Sequence, residues 1–201
     1  MSAIEVDLRD RIVSAGIFAY RAADFHTVGA EAVAQHADVT VDQFRRAYPV
    51  WELFIIAVID RWSSAQHPAL QQIAEEEGAV AHVRARLETG LADPALVRLR
   101  LALLSAASNP GHAAAGWFRR QYELTYEDLT LALVRDVVRG RESRGVAPRL
   151  AAEQLLALYE GLQMQSLLRD DADVLPGYDR AVARMRVGWG SALTNERTAL
   201  R

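Results

Sequence analysis

The sequence has 201 residues and a mass of 22.2 kDa, which suits one large domain or a small domain fused to a medium one. It contains no cysteine, which excludes disulfides, thiolate zinc sites and cysteine nucleophiles. All 23 basic residues are arginine and the formal net charge is −3, so any nucleic-acid binding must depend on the local placement of arginines and not on bulk charge.

Apolar residues recur at three- and four-residue spacing along almost the whole chain, a pattern that predicts helices and no strands. Prolines, glycines and Asp or Asn clusters divide this pattern. The predicted helices are, in chain order, 6–23, 28–36, 40–47, 50–66, 79–92, 94–108, 111–143, 149–169 and 177–193. The sequence therefore predicts an all-α protein of about nine helices, in which a three-helix N-terminal head is joined to a C-terminal helical bundle.

Neither an export signal nor a membrane span is predicted. The first eleven residues alternate acids and arginines and lack the apolar segment of a signal peptide. The longest uninterrupted apolar run, residues 53–59, is much shorter than the roughly 18 to 20 residues that a bilayer requires. We expect a soluble, cytoplasmic protein without a membrane partner.

Residues 32–48 have the spacing of a helix-turn-helix motif. A short helix with Val33 and Ala34 leads into a tight connection at 37–39. Thr40 is a preferred N-cap residue, and Phe44 four residues later faces inward. The second helix of such a motif can enter the major groove of DNA. The spacing alone also fits two short helices that contact no DNA.

A wider set of residues resembles the tetracycline-repressor-like (TetR) transcriptional regulators in order and spacing. The set consists of Arg11-Ile12-Val13-Ser14-Ala15, Phe18, Phe25, Val33-Ala34, Val39-Thr40, Phe44, Tyr48-Pro49 and Glu52. The long helix WELFIIAVID follows the aromatic–Pro pair as in that family, and residues 133–168 resemble its common C-terminal region. The resemblance implies a DNA-binding domain at 1–62, with its motif at about 29–48, and a ligand-binding and dimerisation domain at 63–201.

The sequence also departs from the family pattern. Asp24 and Asp38 stand where the family has glycine, Arg45 stands at its recognition-helix tyrosine, and Trp51 stands at its phosphate-contacting lysine. Residues 1–62 contain nine acids and six arginines, whereas the rest of the chain contains 17 of each. A duplex-binding head usually gathers positive charge. These departures support an alternative function, that of a TetR-fold small-molecule carrier that has lost DNA binding.

The resemblance implies DNA contacts near the second helix, on the recognition helix and at the start of the fourth helix. The candidates are Thr27, Gly29, Thr40, Val41, Gln43, Arg45, Arg46, Tyr48 and Trp51. An arginine can bind phosphate, a glutamine can pair with adenine, and a capping threonine can also meet phosphate. Each candidate has a structural alternative, such as a solvated arginine, an idle exposed Gln43 or a packed Trp51.

Aromatic and amide side chains on two predicted helices suggest a pocket for a small apolar effector. They are Trp117, Phe118, Tyr122, Tyr126, Tyr159, Gln163 and Met164. Aromatic groups with polar tips and a few amides are typical of small-molecule cavities, and the resemblance implies an inducer site within the bundle. Plain core aromatics remain the alternative for each of these residues.

The last two predicted helices carry more apolar surface than one covered face requires. Helix 149–169 is apolar around nearly its whole circumference, so it must be covered on two sides. The sequence predicts that a second subunit covers it and that the protein is a homodimer. The predicted interface residues are Leu155, Leu158, Leu162, Tyr178, Val182, Met185 and Trp189. The alternative is that both are core helices of a monomer.

No catalytic constellation is found in the sequence. The metalloprotease motif HExxH, the P-loop and the dinucleotide motif GxGxxG do not occur, and the five histidines lack ligand spacing. We therefore expect no enzyme activity, no metal and no cofactor. The expected function is a ligand-responsive transcriptional regulator, a repressor that a small-molecule effector releases from a double-stranded DNA operator.

Overall fold

The computed structural model describes residues 3–171 and 173–199. Within these residues the chain forms nine α-helices and no strand, which confirms the all-α prediction. The helices are α1 (Ala3–Ala22), α2 (Ala30–Ala37), α3 (Val41–Ala47), α4 (Trp51–Glu76), α5 (Ala79–Leu91), α6 (Pro94–Ala107), α7 (Ala115–Val138), α8 (Pro148–Leu168) and α9 (Val174–Ala199). No helix in the described part of the chain is long and apolar enough to cross a membrane.

Two prolines that were expected to break the chain lie inside helices. Pro68 lies within α4, which continues to Glu76, although a proline there cannot donate the usual backbone hydrogen bond. Pro176 lies in the first turn of α9, where the missing N–H has no partner within the helix in any case. Pro68 therefore marks no helix boundary, whereas Pro176 lies two residues inside the start of α9.

The described residues form two compact units, and their limits differ from the predicted domains. The first unit contains the described parts of Met1–His67 and Asp93–Arg120, and the second those of Pro68–Ala92 and Gln121–Arg201. The units divide the chain differently from the predicted domains 1–62 and 63–201, because residues 93–120 pack with the N-terminal helices. In the first unit α6 packs on α1, and the Arg21 guanidinium donates two hydrogen bonds to Asp93 Oδ2, at 3.0 and 2.7 Å.

The first unit is organised by a close approach between α1 and α4. A Cβ at Gly16 would lie 2.5 Å from the Phe54 ring and 2.8 Å from Val58, so only glycine fits at this position. Phe54 and Val58 are completely buried, as is Ile12 on α1. The approach fixes the position of α4, against which Phe44 of α3 packs, whereas α2 packs on α1.

The second unit has its own core, built from α5, α7, α8 and α9. The predicted dimer-interface residues belong to this core: Leu155, Leu162, Tyr178, Val182 and Trp189 are buried within the single chain, and Leu158 and Met185 pack against them. The Tyr178 hydroxyl donates to the Val80 carbonyl at 2.8 Å. Within the single chain α5 packs on both α8 and α9, and the role of these residues in a dimer interface stays a prediction.

A buried carboxylate fixes the junction between α4 and α5. Asp136, at the end of α7, is 2% exposed and accepts hydrogen bonds from the Ala79 N–H at 2.7 Å and from Arg141 at 2.9 Å. Gly78 has a φ of +99°, and a Cβ there would lie 2.6 Å from Asp136 Oδ2. Arg141 also donates to the carbonyl of Glu75 at 2.9 Å. Asp136 thus caps α5, and its partner Arg141 holds the end of α4.

Candidate nucleic-acid interface

The turn between α2 and α3 is a Schellman motif closed by an aspartate. Asp38 has φ 52° and ψ 52°, in the left-handed region. The Val39 N–H donates to the Ala34 carbonyl at 3.0 Å, and the Asp38 N–H donates to the Gln35 carbonyl at 3.3 Å, the two bonds that define the motif. Aspartate is among the few residues besides glycine that adopt this conformation, so the departure from the family's glycine keeps the turn.

Thr40 begins α3 with a complete capping box. Its hydroxyl oxygen accepts from the Gln43 N–H at 3.1 Å, and the Thr40 N–H donates to Gln43 Oε1 at 2.8 Å. The sequence prediction that Thr40 caps this helix is confirmed. Each partner satisfies a backbone N–H that would otherwise have no acceptor in the first turn.

The capping box uses the acceptor capacity of Gln43. An amide oxygen has two lone pairs, and Gln43 Oε1 accepts from both the N–H and the hydroxyl of Thr40, at 2.8 and 3.2 Å. A bidentate contact to adenine requires that same oxygen as an acceptor. Base recognition by Gln43 would therefore break the cap of the helix that carries it.

Phe44 holds α3 to α4 through an aromatic cluster of Phe44, Tyr48, Trp51 and Phe54. The Phe44 ring is 2% exposed, and its centroid lies 5.1 Å from Phe54 and 5.7 Å from Trp51. Tyr48 lies 5.5 Å from Phe54 in an edge-on arrangement. Trp51 and Tyr48, two of the expected DNA contacts, thus use much of their surface for packing.

Tyr48 is also held by a cation on α1. The Arg9 guanidinium lies 5.4 Å from the centroid of the Tyr48 ring. Burial raises the pKa of the Tyr48 hydroxyl, and the nearby Arg9 and Arg61 partly oppose that rise. The hydroxyl is therefore neutral at physiological pH and adds no negative charge beside the recognition helix.

The outward face of α3 carries its two arginines. Arg45 and Arg46 are exposed, whereas Phe44 and Ala47 are buried, as expected for a short helix with one packed side. Arg45 Nη2 lies 3.7 Å from Glu31 Oε1 on α2. Val41 is half-buried. The face presented by α3 is small and has two cations, one of them beside a carboxylate.

The two candidates before α2 have different environments. The Thr27 hydroxyl donates to the Asp24 carbonyl at 2.7 Å and belongs to a local turn. Gly29 is the N-cap of α2, with no side-chain hydrogen bond to the cap. Sequence reasoning missed Glu31, which pairs with Arg45. The available signal was its position in the first turn of α2, two residues after Gly29.

The predicted pocket residues on α7 divide between the two units. Trp117 and Phe118 lie in the first unit with ring centroids 4.8 Å apart. Trp117 also lines a cleft of about 420 Å³. The other lining residues are Arg9, Ala47, Tyr48, Pro49, Leu53, Ile56, Ala57 and Asp60. Trp117 therefore lies beside the C-terminal end of α3, which belongs to the same unit.

The other predicted pocket residues lie in the second unit and do not share one environment. Tyr159 and Gln163 are buried, and the Gln163 amide donates to the Tyr159 hydroxyl at 2.8 Å. Tyr122 and Met164 are exposed. The Tyr126 hydroxyl accepts from Arg149 at 3.3 Å near the surface. The structure thus brings Tyr159 and Gln163 together but does not gather the whole set.

Arg86 adds a charge to the buried Tyr159–Gln163 pair. Its guanidinium lies 4.9 Å from the centroid of the Tyr159 ring, a typical distance for a cation–π interaction. Sequence reasoning also missed Arg86, because the contact joins α5 to α8 and no local pattern marks it. Within residues 3–171 and 173–189, no group of three His, Cys, Asp or Glu side chains could hold a metal.

Together these features define an all-helical protein with an N-terminal helix-turn-helix. Solved structures with similar folds are TetR-family transcriptional regulators. A regulator from Haloarcula marismortui has a TM-score of 0.69 at 17% identity, over 93% of this chain and 98% of that one. A protein from Mesorhizobium loti, described as a putative TetR-family regulator, has a TM-score of 0.69 at 14% identity. That similarity covers 94% of this chain and 97% of that one. A TetR/AcrR-type regulator from Aquifex aeolicus has a TM-score of 0.61 at 12% identity, and the similarity covers 93% of this chain and 98% of that one.

The chain therefore has the fold of TetR-family transcriptional regulators over nearly its whole length, as the sequence resemblance led us to expect. No protein-family model and no curated protein matches the sequence.

The capping box yields a stability prediction. Thr40→Ala and Gln43→Ala should each lower the free energy of unfolding by about 0.5–2 kcal/mol. The double variant should lose less than the sum, because both changes remove the same reciprocal pair of bonds. Urea unfolding followed by circular dichroism measures these losses. Gln35→Ala, an exposed glutamine truncated on α2, is the matched control and should change stability little. Strictly additive losses would contradict the reciprocal cap.

Proposed function

We propose that the protein is a TetR-family, ligand-responsive transcriptional regulator that binds double-stranded DNA through α2 and α3. The observation that carries this proposal is the helix-turn-helix itself. Its turn is closed at Asp38, its second helix is capped by Thr40, and Phe44 anchors that helix from behind. The second helix of such a motif enters the major groove. The similarity in fold to transcriptional regulators supports the same function.

The residues proposed to meet the duplex lie on the exposed side of this motif. Arg45 and Arg46 supply the charge for phosphate or base contacts on α3, and Val41 lies one turn earlier. Thr27 and Gly29 lie before α2 and Thr40 lies before α3, where backbone N–H groups can meet phosphate. Tyr48 and Trp51 are proposed to add edge contacts while they pack on Phe54. The proposed main role of Gln43 is to cap α3 together with Thr40.

This arrangement predicts weak, arginine-dependent binding to duplex DNA. Arg46→Ala should weaken binding to every sequence alike and reduce the slope of log K against log[salt] by about one unit per head if Arg46 contacts phosphate. Operator fragments are first selected from genomic DNA. The affinity of each variant for them is then measured by fluorescence anisotropy at several salt concentrations. Arg11→Ala removes an exposed arginine paired with Asp7 on α1 and is the matched control. Unchanged affinity after Arg45→Ala and Arg46→Ala together would show that α3 is not the recognition helix.

A small-molecule carrier of the same fold is the second candidate function. The head's excess of acids over arginines in residues 1–62 favours it, as does the carboxylate of Glu31 beside Arg45. Failure of the purified protein to select any duplex at low salt, together with retention of a bound apolar ligand, would support the carrier.

We also propose a homodimer that uses the outer faces of α8 and α9. On α8 the exposed residues Leu150, Ala157, Gly161, Met164 and Leu168 lie within about 60° of one another at 100° per residue. A Cβ at Gly161 would meet no atom of the described residues within 4 Å, so none of them requires glycine there, although glycine inside a helix costs about 1 kcal/mol relative to alanine. Close approach of a partner helix would explain its presence.

The dimer proposal predicts that charge on this face separates the subunits. The double variant Met164→Glu with Leu168→Glu should sediment as a monomer at micromolar concentration, because each new carboxylate would be buried without a partner. Leu131→Glu places one such carboxylate on an exposed position of α7, where Leu131 is 60% exposed, and should leave the assembly unchanged. A wild-type protein that is itself a monodisperse monomer would contradict the proposal.

The proposed effector is a small apolar molecule with one polar group, bound in the second unit beside Tyr159 and Gln163. A buried amide and hydroxyl within an apolar core can orient such a ligand. Binding is proposed to favour a state that releases the operator. A coupling of about 1–3 kcal/mol between ligand and DNA is typical of such regulators.

The effector proposal predicts a ligand-dependent melting temperature. A binder from a library of small apolar molecules should stabilise the protein by about 2.7 kcal/mol at a free concentration one hundred times its Kd, and it should weaken duplex binding. Thermal unfolding with and without the ligand measures the stabilisation. Gln163→Leu should lose most of it, and a thermal shift that Gln163→Leu retains in full would place the ligand elsewhere.

A further inference from the structure

Glu31 lies between the two parts of the helix-turn-helix that carry the proposed DNA contacts. Its Oε1 lies 3.7 Å from Arg45 Nη2 on α3. Its Oε2 lies 3.4 Å from the position that a Cβ at Gly29 would occupy, before the start of α2. One carboxylate therefore faces both the recognition helix and the residue that precedes α2.

The chemistry of this carboxylate resembles that of a DNA phosphate. Both groups are anions that present acceptor oxygens to a guanidinium. Glu31 and Arg45 are both largely exposed, with 74% and 64% of their side-chain surface accessible. An exposed ion pair of this kind is weak. A phosphate can thus displace Glu31 from Arg45, but it would then lie close to the displaced negative charge.

We propose that Glu31 is an internal competitor of DNA phosphate for Arg45 and that it lowers the affinity for every duplex irrespective of sequence. This inference rests on the proposed DNA-binding function. Phosphate contacts supply most of non-specific binding, whereas base contacts supply sequence recognition. By weakening the phosphate contact of Arg45, Glu31 makes the affinity depend more strongly on the remaining contacts to phosphates and bases.

The first test is the Glu31→Gln variant, which keeps the size of the side chain and removes its charge. Its affinity for a duplex of random sequence is compared with that of the wild type by fluorescence anisotropy between 50 and 200 mM NaCl. At the lowest salt concentration the variant should bind about three- to tenfold more tightly, and its plot of log K against log[salt] should be steeper by about one unit per head.

A double-mutant cycle shows whether the gain passes through Arg45. In an Arg45→Ala background, Glu31→Gln should give much less than its gain in the wild type, because the competed cation is absent. Asp42→Asn is the matched control, since it removes the same charge from an exposed position of α3. Its gain should be smaller than that of Glu31→Gln.

Three results would overturn the inference while the wild type binds DNA: no gain from Glu31→Gln, an equal gain from Asp42→Asn, or a full gain in the Arg45→Ala background. Each of these leaves the proposed function intact. If neither the wild type nor Glu31→Gln binds any duplex at low salt, the proposed function fails and the inference fails with it.

Discussion

The head depends on the packing of Phe44 against Phe54. The two ring centroids lie 5.1 Å apart and both side chains are buried. Phe54 can occupy that position because Gly16 leaves room for its ring between α1 and α4. Since α3 has seven residues, it is too short to be stable by itself. Burial of its one aromatic residue therefore determines both whether α3 forms and which of its faces remains exposed.

The features of the head that could be predicted from sequence are governed by local rules. Thr40 was expected to cap α3 because its hydroxyl suits that position, and the capping box confirms it. The left-handed turn, with a φ of 52° at Asp38, follows from the ability of aspartate to adopt that conformation. Each depends on a few neighbouring residues, so the sequence contains all the information that is required.

Features that depend on distant packing could not be predicted in the same way. The periodicity of α8 predicts that two of its sides are covered, but it could not show that α5 of the same chain packs against one of them. Likewise, nothing local in residues 93–120 indicates that they join the N-terminal unit. Glu31 and Arg45 are 14 positions apart, and their pairing exists only because the turn at Asp38 brings α2 and α3 together.

Ion pairing within the first unit uses half of the arginines of the head. Three of its six arginines pair with acids away from α3: Arg11 with Asp7, Arg21 with Asp93, and Arg61 with Asp10. The same arrangement leaves few cations for phosphate.

Binding by one such head would be weak, and the proposed dimer would then supply affinity by joining two heads. Attachment of the first head makes binding of the second an intramolecular event, whose strength depends on the geometry that links them. The proposed effector, by altering this geometry, would need to weaken only the binding of the second head. With few phosphate contacts per head, a coupling of about 1–3 kcal/mol would be a large fraction of that second step. The scarcity of cations in the head is thus compatible with effective release by a small molecule.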